Sequence, residues 1–323
     1  MADRSREASL EVEEEVKRHP LLIELFVRLI REKPLGVVGG VIVLILAIVA
    51  AFADLAWLGL PNVGLAPYPM TEIHLADRLG PPSVQYLLGT DYLGRDLLSR
   101  IIHGARISIV VGLAGAALDV AITTFIGVVS GFLGGKFDLI VQRFVDAWIC
   151  FPVLFIYLTI MSIVGPGLLQ VILVVAIVDG IRYSRVMRGA VIGIKENIYV
   201  EAARAIGASN TRILIRHILP NVMAPIIIIY SITCGYMILT EATLSFLGFG
   251  IPPPQPSWGR MLSMEGRRYM LIAPWTALWP GVALATVVWG MNMFGDAVRD
   301  ILDPKLRGGL GRYGRVKVKK PKK

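Results

Sequence analysis

Long apolar stretches separated by short polar segments dominate this chain. The first runs from 35 to 53, between Pro34 and Asp54, and its 19 residues would form a helix about 28 Å long, close to the thickness of a bilayer core. Five further stretches are long and apolar enough to predict membrane-spanning helices. The six predicted spans are 35–53, 107–131, 144–164, 168–183, 222–246 and 275–295.

Positive charge is distributed unevenly between the polar segments. With the N-terminus inside the cell, the inner segments hold 26 of the 33 Lys and Arg residues, and the outer segments 54–106 and 247–274 hold 7. Cytoplasmic loops are enriched in Lys and Arg, so this bias predicts that both termini are cytoplasmic. The long charged lead before the first span argues against a cleavable signal peptide.

The composition is typical of a membrane protein. Apolar residues make up 55% of the 323 residues and charged residues only 18%, with a mean hydropathy of +0.65; soluble domains average about 25% charged residues. The net charge of +9 is interleaved with apolar stretches, so no nucleic-acid partner is expected. Cys150 and Cys234 lie inside apolar runs without pair spacing, and we interpret both as packing residues.

Motifs for catalysis and metal binding are missing from the sequence. Gly134-Gly135-Lys136 is followed by Phe137, which breaks the phosphate-binding loop pattern, and the four histidines have no ligand spacing. We therefore expect no catalytic residue, metal or cofactor in this chain.

Acidic residues within the predicted spans are candidates for a translocation pathway or a helix interface. An ionised side chain at mid-bilayer costs about 2.5 to 3.5 kcal/mol on the insertion scale and seldom faces lipid. The alternative is internal pairing, for instance of Asp146 with Arg143 or of Asp179 with Arg182. The four candidates are Asp119, Asp146, Asp179 and Glu241.

The segment between the fourth and fifth predicted spans has the pattern of two short helices. The first ends at Gly207, which can adopt a positive φ; Ser209 or Asn210 caps the second, and Pro220 stops it. Small residues at Ala202, Ala203 and Gly207 allow a partner to approach closely. Apolar residues on a water-exposed loop favour a protein groove, and these are Ile206, Ile213 and Leu214. A helix lying on lipid headgroups is the alternative.

This segment also resembles the EAA loop of ABC importer permeases. Glu201-Ala202-Ala203, Gly207 and Leu219-Pro220 match that motif in register, and His217 stands where the general pattern has Ile. Other stretches are similar to the dipeptide, oligopeptide and nickel importers, and specifically to the C-type permease of their pair. These stretches are Leu88-Gly89-Thr90-Asp91, Gly94-Arg95-Asp96, Glu241 to Gly248 and Pro256-Ser257-Trp258-Gly259.

The resemblance implies an all-α, six-span permease of the type I ABC importer fold in the cell (inner) membrane. It implies alternating access without catalysis, a heterodimer with a second permease, two ABC ATPase subunits that bind ATP and Mg, and an extracytoplasmic substrate-binding protein. The residues expected to couple to the ATPases are Glu201, Ala202, Ala203, Gly207, Leu219 and Pro220. Dipeptides, oligopeptides, nickel complexes and oligosaccharides stay open as substrates. A secondary active transporter is the alternative function.

The two outer segments are longer than simple connections need, which favours a functional role. We expect them to receive the binding protein, with arginines pairing with its acidic residues. The candidate docking residues are Trp258, Arg260, Arg267 and Arg268. The alternative is that these segments only cap the spans and pack on the partner permease.

The predicted organisation has five parts. An amphipathic cytoplasmic segment, 1–33, precedes the first transmembrane helix, 34–53, and the extracytoplasmic segment 54–106. A core permease domain, 107–298, contains the cytoplasmic coupling loop 184–220 and the extracytoplasmic loop 247–274. A basic cytoplasmic tail, 299–323, ends the chain, and the part from Leu306 onward is expected to be disordered.

Overall fold

The computed structural model describes residues 29–54 and 64–302, so most of the predicted N-terminal segment and of the basic tail lies outside the described residues. Within these ranges the chain is mostly helical, and it forms no β-strand apart from a single bridge between Thr90 and Asp96. The helices are α1 (Pro34–Ala51), α2 (Leu97–Leu133), α3 (Gly135–Ile149), α4 (Val153–Val164), α5 (Leu168–Lys195), α6 (Ile198–Ala205), α7 (Asn210–Phe246), α8 (Trp258–Arg260, Met261–Gly266 and Arg267–Tyr269) and α9 (Trp275–Leu302).

Four of these helices, α1, α2, α7 and α9, are long and apolar enough to cross a membrane. The bent pair of α3 and α4 would make a fifth span if the two are counted together. The predicted fourth span, 168–183, is the first half of α5 and includes Arg182, and the second half carries Arg185 and Arg188. A helical membrane protein is therefore confirmed, while the count of six spans stays a prediction.

The predicted third span, 144–164, is wrong as a single straight helix. α3 ends at Ile149 and α4 begins at Val153, and the two helices meet at 89°. Pro152, which has no N–H to donate, stands at the N-cap of α4 with extended backbone. α3 is amphipathic and lies against α5, where Asp138 pairs with Arg188 at 2.6 Å.

Glycines bring α1 and α9 into close contact. A Cβ atom on Gly39 would lie 2.5 Å from the main-chain oxygen of Gly290, so neither helix could come this near with a larger residue at that position. Lys33 and Asp300 form a salt bridge of 2.5 Å at the same end of the pair.

α2 is a continuous helix about 55 Å long by its 37 residues, and it begins ten residues before the predicted span. Asp96 caps it by accepting from the main-chain N–H of Ser99 at 2.8 Å. At its other end Lys195 donates to the main-chain oxygen of Phe132 at 2.7 Å. α2 packs along α5, where Gly127 and Gly180 allow the helices to approach closely.

Pro220 does not stop the helix that precedes it, contrary to the sequence prediction. A π-helical turn, Leu214–Ile218, and a 3-10 turn, Leu219–Val222, carry α7 past the proline. The side-chain amide of Asn221 donates to the main-chain oxygen of His217 at 2.6 Å, so this carbonyl is satisfied despite the irregular turns.

Candidate functional site

The two helical pieces predicted after α5 are α6 and the start of α7, and a left-handed turn joins them. α6 ends at Ala205, and Gly207 has φ of +84°. The hydroxyl of Ser209 accepts from the main-chain N–H of Arg212 at 3.3 Å, which caps the start of α7. The predicted glycine turn and serine cap are confirmed, whereas the second helix is not short, because α7 continues past Pro220 to Phe246.

α6 and the first turns of α7 line an open groove of about 400 Å³, which we call the coupling groove. Tyr199 and His217 contact each other across it, with ring centroids 6.3 Å apart. Ile206 on its wall is 86% exposed. The groove is lined by Tyr199, Ala202, Ala203, Ile206, Ala208, Arg212, Arg216 and His217.

Of the six residues expected to couple to the ATPases, Ala202 and Ala203 line this groove, and the other four lie outside its lining. Glu201, Ala202 and Gly207 are exposed, and a Cβ atom added to Gly207 would meet nothing within 4 Å. Leu219 and Pro220 are also exposed. Ala203 is buried, so it supports α6 as well as lining the groove. Exposed small and apolar side chains together leave room for a partner's side chains.

One apolar expectation was wrong, because Ile213 is fully buried in its own chain. It belongs to a cluster of buried side chains that packs α6 and α7 against the C-terminal ends of α2 and α5, which we call the inner cluster. The members of this inner cluster are Val128, Phe132, Met187, Val191, Val200, Ala203, Ile213, Ile218 and Val222. A force applied at the coupling groove therefore acts on both long helices through packed side chains.

Asp119 is fully buried in α2, facing α5. The hydroxyl of Thr123 lies 3.0 Å from Asp119 Oδ1 and 3.2 Å from the main-chain oxygen of Gly180, and it can donate to one of them at a time. Oδ2 has no hydrogen-bond partner within the described ranges. Asp119 therefore does not face lipid.

Asp179 and Asp146 have the internal partners that the alternative interpretation named. Asp179 accepts from the phenol of Tyr157 and, at 3.1 Å, from Arg182. Asp146 lies 3.6 Å from Arg143 and also pairs with Arg185. The hydrogen bond from Tyr157 to Asp179 joins α4 to α5, and the ion pair of Asp146 with Arg185 joins α3 to α5.

Glu241 is buried near the outer end of α7, where Ser245 donates to it at 2.6 Å. The four candidate carboxylates are thus not gathered at one point. Asp119 lies at the contact of α2 and α5, next to Gly180, and Asp179 is bonded to Tyr157 of α4. Asp146 pairs with Arg185 of α5, and Glu241 accepts a hydrogen bond within α7.

The candidate docking residues differ in exposure. Trp258 is only 2% exposed and donates from its indole N–H to the main-chain oxygen of Ile101 at 3.1 Å, so it packs inside and is not part of a docking surface. Arg267 and Arg268 are exposed, and Arg260 is half-buried. Arg268 lies over the ring of Tyr269 at 5.6 Å.

A buried ion network in the outer segments was not predicted from sequence. Asp91 pairs with Arg95 at 2.6 Å, and Glu265 lies 3.2 Å from Arg95 and 3.3 Å from Arg100. Burial raises the pKa of Glu265 to about 7, and the nearby guanidinium of Arg100 offsets part of that rise. We call these four residues the outer ion network. Only the spacing of Asp91 and Arg95 was visible in the sequence.

Among the described residues no group of His, Cys, Asp or Glu is arranged to hold a metal ion. The chemistry that the described part of the chain offers is therefore one of helix contacts, ion pairs and an exposed groove.

Two transport permeases are similar in sequence to this chain along most of their length. The dipeptide transport system permease protein DppC of Alkalihalophilus pseudofirmus is 38% identical over 278 residues, which cover 86% of this chain and 88% of that protein. The glutathione transport system permease protein GsiD of Escherichia coli O6:K15:H31 is 37% identical over 284 residues, covering 88% and 90% respectively.

A solved structure of the MetNI methionine ABC transporter, in an inward-facing conformation, shares the fold. The TM-score is 0.51 at 17% sequence identity, over 63% of this chain and 96% of that chain. Residues 123–308, more than half of the sequence, match the family described as the binding-protein-dependent transport system inner membrane component. The chain therefore belongs to this family and is an ABC importer permease subunit.

Proposed function

We propose that this chain forms half of the translocation pathway of an ATP-driven importer of di- or oligopeptides. The coupling groove carries the proposal, because it is open, is lined by Ala202 and Ala203 of the EAA motif and is fixed to α2 and α5 through the inner cluster. The names of the relatives support a peptide substrate, since they include a dipeptide and a glutathione permease. Nickel complexes and oligosaccharides are the substrates to compare with peptides.

In the proposed topology the chain crosses the membrane six times and both termini are cytoplasmic. The bent pair α3–α4 supplies the third crossing and α5 the fourth. The excess of Lys and Arg in the inner segments supports this orientation. The coupling groove then lies in the cytoplasm, and α8 and residues 64–96 lie outside.

The proposed partners are a second permease, two ABC ATPase subunits and an extracytoplasmic substrate-binding protein. ATP and Mg would bind to the ATPases, and this chain would catalyse no reaction. Moving the pathway from 1:99 to 99:1 in favour of one state requires about 5.5 kcal/mol of differential binding. The ATPase dimer would deliver that free energy through contacts in the coupling groove.

Site-directed crosslinking tests the groove. A photoreactive cysteine label at Ile206 should crosslink to an ATPase subunit in the assembled complex. The matched control is a label at Ile163, an exposed isoleucine at the far end of α4, which should give no such product. Crosslinking of the lipid alone at Ile206 would favour the headgroup alternative and contradict the proposal.

Transport by the reconstituted complex tests the function itself. Uptake of a labelled dipeptide should require the binding protein and ATP, and it should persist when the ion gradient is collapsed. Uptake that follows the gradient and ignores ATP would instead identify a secondary active transporter. Competition with oligopeptides, nickel chelates and oligosaccharides would then define the substrate class.

A further inference from the structure

The outer ion network joins two parts of the chain that are far apart in sequence. Arg95 lies just before the N-cap of α2, Arg100 lies in the first turn of α2, and Glu265 lies in the π-helical turn of α8. All members are buried, with Asp91 fully enclosed. Asp91 also accepts from the main-chain N–H groups of Leu93 and Arg95, at 2.8 and 2.9 Å. Residues 64–96 are therefore anchored to the outer loop, 247–274, through charges that water does not reach.

Two tryptophans connect these parts to the long helices, the outer loop to α2 and residues 64–96 to α9. The indole of Trp258 donates to Ile101 in α2, at 3.1 Å, and a Cβ atom on Gly104 would lie 2.6 Å from its indole nitrogen. At the start of α9, Trp275 donates to the main-chain oxygen of Thr90 at 3.3 Å. These contacts leave no space for sliding between the parts.

The exposed rim of this contact is also occupied. Tyr92 and Tyr269 stack with ring centroids 6.3 Å apart and an interplanar angle of 14°. Arg78 donates to the hydroxyl of Tyr269 at 3.3 Å. Aromatic stacking and ion pairs thus continue from the buried network to the surface.

We propose that residues 64–96 and the outer loop 247–274 form one rigid cap, fixed to the outer end of α2, that moves as a single unit whenever α2 moves. This inference rests on the proposed function, because only a transporter that alternates between states would move α2. Separating Glu265 from the two guanidinium groups would leave a buried charge unpaired, which is strongly unfavourable. Residues 64–96 and the outer loop 247–274 therefore keep their contacts with each other while the cap changes position.

α2 contacts both the inner cluster and the rigid cap. Val128 and Phe132 at the inner end of α2 belong to the inner cluster beneath the coupling groove. At the outer end, Arg100 and Gly104 hold the cap. One helix about 55 Å long by its 37 residues thus connects the groove to the cap. A movement at the coupling groove would therefore move the cap as a whole, because the cap would not deform internally.

Spin-label distance measurements on the complete importer in lipid nanodiscs test the proposal. Labels at Val84, 99% exposed, and Leu271, 94% exposed, report on the two halves of the cap. Cys150 and Cys234 are first replaced by Ser and Ala. The distance between the labels should be the same without nucleotide and with a non-hydrolysable ATP analogue. A shift of that distance between the two states would overturn the proposal.

Variants of the ion network make the test independent of the nucleotide cycle. Glu265→Ala removes the acceptor for both guanidinium groups and should broaden the distribution of the Val84–Leu271 distance. Glu265→Gln keeps an acceptor oxygen but removes the charge, so its distribution should be broader than that of the wild type and narrower than that of Glu265→Ala. The control is Glu72→Ala, which removes a half-exposed carboxylate 3.0 Å from His74 in the same outer segment. A distribution as narrow in Glu265→Ala as in the wild type would also overturn the proposal.

The proposed function is tested separately. ATP-dependent peptide uptake by the wild-type complex does not depend on whether the cap is rigid. An importer with a flexible cap would thus refute this inference alone, and a complex without ATP-dependent uptake would refute the proposed function.

Discussion

Arg106 holds the C-terminal end of α1 by donating to Asp54. Its guanidinium lies 3.1 Å from the main-chain oxygen of Asp54, 3.1 Å from the Oδ1 atom of the same residue and 3.1 Å from the main-chain oxygen of Ala50. Helix C-termini have carbonyl groups without intrahelical partners. One side chain of α2 thus caps α1 and fixes it to the second long helix.

The first prediction concerns this contact. Arg106→Lys keeps the charge but loses the fork of parallel donors, so we expect a loss of about 1 to 3 kcal/mol in stability. Thermal unfolding of the complex in detergent would measure it. Arg143→Lys is the control, since Arg143 is exposed and lies 3.6 Å from Asp146. Equal melting temperatures for both variants would contradict the capping role.

The second prediction concerns the contact of α1 with α9. Gly39→Ala places a Cβ atom 2.5 Å from the main-chain oxygen of Gly290, so the helices must move apart. Gly189→Ala is the matched control in α5, where no atom lies within 4 Å of the new Cβ. Alanine stabilises a helix by about 1 kcal/mol relative to glycine. Melting temperature should therefore fall for Gly39→Ala and stay level or rise for Gly189→Ala.

Local sequence signals predicted the parts of the fold that depend on neighbouring residues. Pro34 and Asp54 bound the first span, which is observed as Pro34–Ala51. The glycine turn at Gly207 and the cap at Ser209 are likewise local properties. Hydropathy alone predicted one straight helix over 144–164, because it does not show the change of direction at Pro152.

Contacts between distant residues could not be predicted. Arg95 and Glu265 are 170 positions apart, and nothing in either local sequence shows that the two meet. Ile213 has the same apolar character as Ile206, yet only the tertiary fold buries Ile213 against α2 and α5. The carboxylates Asp146 and Asp179 were named correctly with their partners Arg143 and Arg182, because those partners are one helical turn away.

The third prediction separates strain from contact at the coupling groove. Gly207 has φ of +84° and Gly248, at the opposite end of α7, has φ of +90°; neither has an atom within 4 Å of a new Cβ. Valine at either position costs about 1 to 2 kcal/mol or more in backbone strain. Only Gly207→Val should also abolish ATPase binding and uptake, because only this glycine would face the partner. Equal uptake by the two variants would contradict the coupling role.

The fourth prediction concerns pH. Burial raises the pKa of Glu265 from the ordinary value of 4.5 to about 7. The folded protein then binds this proton more tightly than the unfolded chain, so the contribution to stability is full below pH 4.5 and is lost as the pH rises through about 7. Glu265→Gln stays neutral at every pH. The melting temperature of the wild type minus that of Glu265→Gln should therefore decrease between pH 5 and 8, and a constant difference would refute the raised pKa.

The last prediction concerns Asp119, for which we propose a role in the pathway or at the α2–α5 interface. Its Oδ1 lies 3.0 Å from the Thr123 hydroxyl, and its Oδ2 has no hydrogen-bond partner within the described residues. Asp119→Asn keeps an acceptor oxygen and removes the ionisable group, so folding and assembly should persist. If the carboxyl group takes part in transport, uptake or the preference between substrates should change.

Thr123→Val provides the matched comparison, because it removes the hydrogen bond to Asp119 and keeps the carboxyl group. A pathway role for the carboxyl predicts that only Asp119→Asn alters the rate of peptide uptake at constant ATPase activity. A purely structural role predicts that both variants lower the free energy of unfolding by about 1 to 3 kcal/mol, and with it the melting temperature. Substrate preference should then stay unchanged. Uptake by proteoliposomes and thermal unfolding of the same preparations distinguish the two, because packing defects act on stability and a lost pathway group acts on transport.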